Sequence, residues 1–218
     1  MGRPRGVRNP DYLEARAALL ERLSRRLMKP DGARASLRDL ATSAKVSVAT
    51  LQHYFGDRDG VIEAVFEAAH LGGAPHLAAV AAPHVGTLRD SLTWFLQYLI
   101  NGLLEHGVSD LHAFGLAVGV GDEGLGPAYL DHIFEPTLQA LETRLARHVA
   151  AGELVPCDVR VAAIGLLAPI LLGVLHQHAL GGKRCRPLDL EAFVAQHLEA
   201  FLRAYAKPVR ARRAGRDG

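Results

Sequence analysis

Leu13, Ala17, Leu20, Leu23 and Leu27 recur at steps of three and four residues, the spacing that gathers side chains on one side of an α-helix. The stripe stops before Pro30 and Gly32, which end a first helix. Ser36 then opens "SLRD", where the hydroxyl can accept from a first-turn backbone N–H and Asp39 can reach back, a capping box with Asp in its third position. Leu37, Leu40 and Ala41 form the inner face of this short second helix. After a tight turn through Ala44 and Lys45, Ser47 is placed to cap a third helix that carries Leu51 and Phe55 one turn apart. The pattern is helix, turn of three to four residues, helix.

The helical period continues. "TLRD", from Thr87 to Asp90, repeats the cap signal ahead of Leu88, Leu92, Phe95 and Leu99. Ser109 begins another helix, Pro127 suits the first position of a long one running to about Ala151, and Asp158 starts the helix that contains Pro169. A last helix, from about Leu188 to Ala206, places Phe193, His197, Phe201 and Tyr205 at four-residue steps. No alternating strand pattern bounded by turn residues occurs, so the fold class is all-α, with nine or ten helices.

The helix after Asp158 reads "VAAIGLLAPILLGVL" and has no polar face, so it must be covered on every side. A core on one side and a second subunit on the other would do that, with Gly165 and Gly173 allowing close approach; the alternative is a central helix buried by its own neighbours.

In the third helix, inward Val46, Leu51 and Phe55 push Val48, Thr50, Gln52, His53 and Tyr54 toward solvent over barely two turns. Small hydrogen-bonding groups on so short a helix fit a DNA major groove, where Gln bonds base edges and hydroxyls reach phosphates; a polar surface helix of a bundle would look similar. The run "SLRDLATSAKVSVATLQHYFGDRDGVIEAVF" resembles the second to fourth helices of the TetR-type bacterial transcriptional regulators. Ser36, Leu40, Ala41, Ala44, Val46, Ser47, Leu51, Tyr54, Phe55, Asp59 and Val61 match that family's pattern. Lys45 and Ala49 stand where glycines are usual, Gln52 where a tyrosine is usual, and Arg58 where a lysine is usual. Losing the tyrosine removes a common phosphate contact and leaves Gln52 to touch a base. The resemblance implies DNA contacts from Ser36, Ser47, Val48, Thr50, Gln52, His53, Tyr54 and Arg58.

It also implies an organisation: residues 1–58 as a helix-turn-helix DNA-binding domain with a basic arm, 59–206 as a helical ligand-binding and dimerisation domain, and 207–218 as a basic tail. The last two long helices would pair with those of a second copy.

Charge changes the picture by its distribution. The formal total is only +2, yet residues 1–60 hold 12 Lys/Arg against 7 Asp/Glu, residues 61–205 hold 8 against 15, and residues 206–218 hold 5 against 1. Basic ends suit a polyanion, and an acidic middle stands away from phosphates. Arg3 and Arg5, flanking Pro4 ahead of the first helix, can enter an A·T-rich minor groove or be drawn to phosphates generally.

Several chemistries drop out. Cys157 and Cys185 do not make a disulfide framework. "GVGDEG", Gly119 to Gly124, spells G-x-G-x-x-G without a βαβ setting and reads as a link between helices. His176 and His178, two apart on a helix, point away from each other and cannot grip one metal. No nucleophile motif or three-ligand cluster is present, so neither an enzyme nor a metal or other cofactor is expected. No apolar stretch follows a basic N-terminal region, and the longest apolar run, Val161 to Leu175, falls short of a bilayer span; a cytoplasmic protein is expected.

Trp94, Tyr98, His112, Phe114, Tyr129, Phe134 and His176 are the large or amphipathic residues of the middle helices, and a subset of them can line a small-molecule pocket. Such residues also fill cores. Arg89, Arg144, Arg147 and Arg160 sit mostly near helix ends, which favours a neutral, apolar, amphipathic or cationic effector over a polyanion. The expectation is a homodimeric repressor on a near-palindromic operator, released by a small molecule. The alternative is a constitutive DNA-binding or architectural protein without an effector.

Overall fold

The computed structural model describes residues 10–208. Its helices are α1 (Pro10–Leu27), α2 (Leu37–Ala44), α3 (Val48–Phe55), α4 (Arg58–Ala81), α5 (Leu88–Glu105), α6 (Val108–Gly119), α7 (Leu125–Tyr129), α8 (Glu135–Ala150), α9 (Val159–His178), α10 (Gly182–Cys185) and α11 (Leu190–Tyr205). A 3₁₀ turn, Gly32–Arg34, follows α1, and a π-helical turn, Leu130–Phe134, joins α7 to α8 without a break, so the described residues form ten helical rods. They contain no strand, only an isolated antiparallel bridge between Leu154 and Ala206.

Local chemistry sets most of the ends. At α2, Asp39 N–H donates to Ser36 Oγ at 3.2 Å while Ser36 N–H and Oγ–H donate to Asp39 Oδ2 at 2.9 and 2.7 Å. The Ser36 hydroxyl and backbone N–H hold the Asp39 carboxyl below the usual carboxylate range. Thr87 and Asp90 make the same reciprocal pair at α5. Asp158 accepts from the N–H groups of Arg160 and Val161 to start α9, and Asp189 from Ala192 to start α11. In the Gly-rich link, Asp122 Oδ1 accepts from the N–H groups of Gly124 and Leu125, so α7 begins two residues ahead of Pro127.

Compactness divides the chain into two units. The first comprises the chain up to Leu77 together with Leu103–Thr137. Its core joins Leu19, Leu23 and Leu27 of α1, Leu40 of α2, Leu51 of α3 and Ile62 and Phe66 of α4 to Phe114 of α6, Leu125 and Tyr129 of α7 and Ile133 of the π turn. α6 and α7 thus complete the core beneath the helix-turn-helix. They approach closely: a Cβ on Gly115 would lie 2.2 Å from the Tyr129 ring, and one on Gly119 would lie 3.0 Å from Gly126 Cα.

The stripe on α1 holds at Leu20, Leu23 and Leu27 and differs from the expected one in its first two turns. Leu13 and Ala17 are exposed, and the inner face runs through Tyr12, Arg16, Leu19, Leu20, Leu23 and Leu27. The second unit comprises Ala78–Gly102 and the chain from Leu138 onward. Its core is built from Leu92, Phe95 and Leu96 of α5, Leu138, Leu141 and Leu145 of α8, Leu166, Ile170 and Val174 of α9, and Leu198 and Phe201 of α11.

α9 is not buried by its own neighbours all round. Leu171 and Gly173 face inward, Gly173 against the Phe193 ring, whereas Val161, Ile164 and Leu172 are 59%, 38% and 63% exposed. A Cβ on Gly165 would meet nothing within 4 Å. At 20 residues, α9 is long and apolar enough by composition to cross a bilayer, which the shorter run from Val161 to Leu175 did not suggest; half of its most apolar window is buried inside the protein, as in the core helix of a soluble one.

α4 contains Gly72, Gly73 and Pro75 and stays helical through all three. In a helix interior each Gly costs about 1 kcal/mol and Pro about 3 kcal/mol relative to Ala, so tertiary contacts must hold this helix together.

Candidate nucleic-acid interface

The helix-turn-helix is set by two caps and one left-handed residue. Lys45 takes φ 57° and ψ 44° at the end of α2, the conformation in which glycine is at ease. Val46 N–H then bonds Ala41 C=O at 3.0 Å, closing the turn. Ser47 caps α3: its Oγ accepts from Thr50 N–H at 3.0 Å and lies 2.8 Å from Thr50 Oγ1, so the two hydroxyls are tied to each other at the helix N-terminus.

The outward residues of α3 differ in their freedom. Gln52 and His53 are exposed; Val48 and Tyr54 are half-buried against the core; Thr50 is half-buried beside its cap. Tyr54 packs 4.8 Å from the Tyr12 ring, and His53 stands edge-on to Tyr12 at 5.9 Å. One turn along α1, the Arg16 guanidinium lies over Phe55 at 5.1 Å. Tyr12 and Arg16 therefore brace the C-terminal half of α3. Sequence reasoning passed over both, because it sought an inner stripe of aliphatic residues; their i, i+4 spacing in phase with Leu19, Leu20 and Leu23 was the available signal.

Arg58 is committed inside its unit. Its Nη2 donates to Ala33 C=O at 2.7 Å, its Nε to Ala35 C=O at 2.9 Å, and its Nη1 lies 3.2 Å from Asp59 Oδ1. These bonds tie the start of α4 to the segment that leads into α2. Arg3 and Arg5, and the tail beyond Pro208, lie outside the described residues.

The seven residues expected at a pocket fall into separate groups. His112, Phe114, Tyr129 and Phe134 meet in the first unit. His112 Nδ1 lies 2.7 Å from Tyr129 Oη, the Phe134 ring flanks both, and Phe66 stands edge-on to Phe114 and Tyr129. Burial pushes the His112 pKa down to about 4 and the Tyr129 phenol up, so the imidazole is neutral at pH 7. Trp94 and Tyr98 stack at 5.0 Å in the second unit. His176, also there, packs on Gly182 and takes a 2.7 Å contact from Gln177 Nε2. An open groove of about 340 Å³ in the first unit is lined by Arg16, Tyr54, Phe55, Gly60, Glu63, Ala64, Glu67 and His132, and includes none of the seven.

The second unit holds an arrangement invisible in the sequence. Ser91 Oγ lies 2.9 Å from His148 Nε2, and His148 Nδ1 lies 2.5 Å from Glu153 Oε2. Serine, histidine and carboxylate in line are the elements of a nucleophilic triad. Ser91, however, is fully buried, and its oxygen already receives Arg144 Nη1–H at 2.7 Å, so no substrate can reach it. One proton assignment satisfies the line: Arg144 donates to Ser91, Ser91 to His148 Nε2, and His148 Nδ1–H to Glu153. The chain of donors carries the buried guanidinium to its counter-charge. Among the described residues no group of three His, Cys, Asp or Glu side chains is placed to hold a metal ion.

The profile of the AefR-like transcriptional repressor C-terminal domain matches residues 90–207, and that of the bacterial regulatory proteins of the tetR family matches residues 22–65. The chain belongs to the TetR family of transcriptional regulators. No curated protein matches it. Solved structures share its fold. A Mesorhizobium loti protein classed as a TetR-family transcriptional regulator superposes with a TM-score of 0.73 at 19% identity, over 91% of this chain and 100% of that one. SmeT, repressor of the Stenotrophomonas maltophilia multidrug efflux pump SmeDEF, gives 0.64 at 19% identity, covering 90% and 93%. The SmeT–triclosan complex gives 0.67 at 21%, covering 89% and 92%. As a TetR-family member the protein is a DNA-binding regulator and not an enzyme.

Proposed function

We propose that the protein is a ligand-responsive repressor that binds a near-palindromic operator as a homodimer. The observation that carries this reading is the outer face of α3: exposed Gln52 and His53 on a helix capped by Ser47 and braced by Tyr12 and Arg16. In the major groove Gln52 and His53 read base edges. Ser36, Ser47, Thr50 and Tyr54 reach phosphates, Val48 makes apolar contact beside them, and Arg3 and Arg5 add contacts ahead of α1. Arg58, expected at a phosphate, is better suited by its three internal partners to holding α4 against the turn before α2.

The division of labour follows: residues 1–58 bind DNA, 59–206 dimerise and sense, and 207–218 form a basic tail. The exposed stripe of Val161, Ile164, Gly165 and Leu172 on α9, together with α11, pairs with its copy in a second subunit. Burying such a stripe contributes about 25 cal/mol per Å² of apolar surface. The effector is a small apolar or amphipathic molecule; SmeT in complex with triclosan supports this for the fold, and the aromatic groups around Tyr129 and Trp94 supply candidate walls. The protein works in the cytoplasm.

Selection of bound sequences from random DNA tests the reading. Two inverted half-sites whose centres lie about one helical turn apart or a little more, roughly 34–36 Å, are expected. A single unrepeated motif, or no enrichment, contradicts it. A thermal-shift screen with hydrophobic metabolites and drugs tests the sensing role, since a ligand that binds only the folded state raises its stability.

A further inference from the structure

α4 is one helix with a weak place in it. Gly72 and Gly73 have little helix propensity, and Pro75 has no N–H to return to the preceding turn, so the stretch His76–Ala81 is separated from the rest of α4 by the sequence that breaks helices most readily. Six residues are too few to stay helical alone. Val80 is buried, and polar ties on this stretch come from α8. Arg144 Nε donates to Val80 C=O at 2.7 Å and its Nη2 to Ala79 C=O at 3.2 Å, and Arg147 Nη1 donates to Ala81 C=O. These carbonyls belong to the last turn, which a helix C-terminus leaves short of backbone donors; Ala79 C=O also accepts from Ala82 N–H at 3.3 Å, and cations there complement the helix dipole.

The guanidinium that makes two of these bonds is itself fixed. Arg144 is 3% exposed, lies over the Trp94 ring at 4.7 Å, and is tied through Ser91 and His148 to Glu153. A flexible cation on the surface would satisfy the same carbonyls; a buried one, with a ring and a three-member relay behind it, holds them in one place.

We propose that Arg144, backed by Arg147, is a positioning residue for DNA binding: it latches the last turn of α4 to α8 and so fixes the far end of the helix whose start, at Arg58, adjoins the helix-turn-helix. With the latch gone, the segment beyond Pro75 frays and the two recognition helices of the dimer lose their fixed spacing. The spacing half of this statement rests on the homodimer reading above; the latch itself does not.

The test uses the full chain with Arg144→Met, which keeps an unbranched stem against Trp94, and Arg147→Ala, which removes only the outer bond. Amide hydrogen exchange is read at residues 76–82, with α9 and α11 as internal controls, and sites are selected from random DNA with variable separation between half-sites. Arg144→Met is expected to exchange about tenfold faster at 76–82, with the controls unchanged. It should bind an isolated half-site within about twofold of the parent while accepting a broader range of half-site separations, because each recognition helix is intact and only its placement is loosened. Arg147→Ala should shift the same readouts less. A folded Arg144→Met with unchanged exchange at 76–82, or with a separation preference as sharp as the parent's, overturns the proposal. Should Arg144→Met fail to fold, Arg147→Ala decides: unchanged exchange at 79–82 overturns it. If the parent itself shows no preferred separation, the homodimer reading fails, and the exchange data alone then decide for or against the latch.

Discussion

α3 and α9 each leave one face open to solvent, with opposite chemistry. On α3 the open residues are Gln52 and His53, whose donors and acceptors water satisfies at no cost; on α9 they are Val161, Ile164 and Leu172, which water does not welcome. A polar face on a braced two-turn helix waits for a partner that offers hydrogen bonds in a fixed pattern. An apolar stripe on a 20-residue helix calls for a partner that excludes water. The two faces call for two different kinds of partner, and the function proposed above assigns a base-pair edge to the first and a second copy of the chain to the second.

Neighbouring substitutions on α9 should have the largest and most different effects. Leu171→Glu puts a carboxylate into the core of the unit and should cost several kcal/mol, enough to lose the cooperative thermal transition seen by circular dichroism. Leu172→Glu places the same group on the open stripe and should leave the transition intact while sedimentation shifts from dimer to monomer. Equal unfolding by both would mean that α9 has no open face.

Acid should weaken the unit that carries α3 through His112. Burial lowers its folded pKa to about 4 from an ordinary 6.5, so between these values the unfolded chain binds a proton that the folded one refuses. Stability from this group is therefore full above about pH 6.5 and falls as the pH drops, by about 3 kcal/mol once the pH is below 4. Measured melting temperatures should fall less steeply across this window in His112→Gln than in the parent; parallel curves would refute the burial argument.

Arg58→Ala sharpens the distinction between α3 and its supports. Leaving the Ala33 and Ala35 carbonyls without partners should cost about 2 kcal/mol of stability in urea unfolding, with little change in the salt dependence of DNA binding. A salt slope reduced by about one unit would return Arg58 to the phosphates. Gln52→Ala and His53→Ala should each cost about 1–3 kcal/mol at particular base pairs in competition binding; a uniform loss across all sequences would make them phosphate anchors. Smallest, Lys45→Gly relieves a left-handed backbone at φ 57° and should stabilise the unit by about 1 kcal/mol in the same unfolding assay.

What could be read from the sequence was local. The capping boxes at Ser36–Asp39 and Thr87–Asp90 are written within four residues, and the structure forms both. The apolar character of α9 was plain, but not which side would stay open, because that depends on where α11 lies: Phe193 takes the space beside Gly173 and leaves Gly165 bare. The inner stripe of α1 was right at Leu20, Leu23 and Leu27 and one residue late only in its first two turns, where Tyr12 and Arg16 bury a ring and a stem beneath polar ends. Arg58 and Arg144 were hidden for another reason. Their acceptors are backbone carbonyls 23 to 65 residues away, and a carbonyl leaves no mark in a sequence. The usual glycine at position 45 was noted as missing, and its cost became visible only as the positive φ of Lys45.

In the proposed function, the open face of α9 is what lets two α3 helices act on one operator. Titrating Leu172→Glu against a duplex carrying both selected half-sites, after circular dichroism has shown its helices intact, tests this most directly. Each monomer would present one recognition helix, so affinity for the two-half-site duplex should fall to that for a single half-site, although no residue of α3 has changed. A folded variant that sediments as a monomer and still binds the full duplex with parental affinity would contradict the claim.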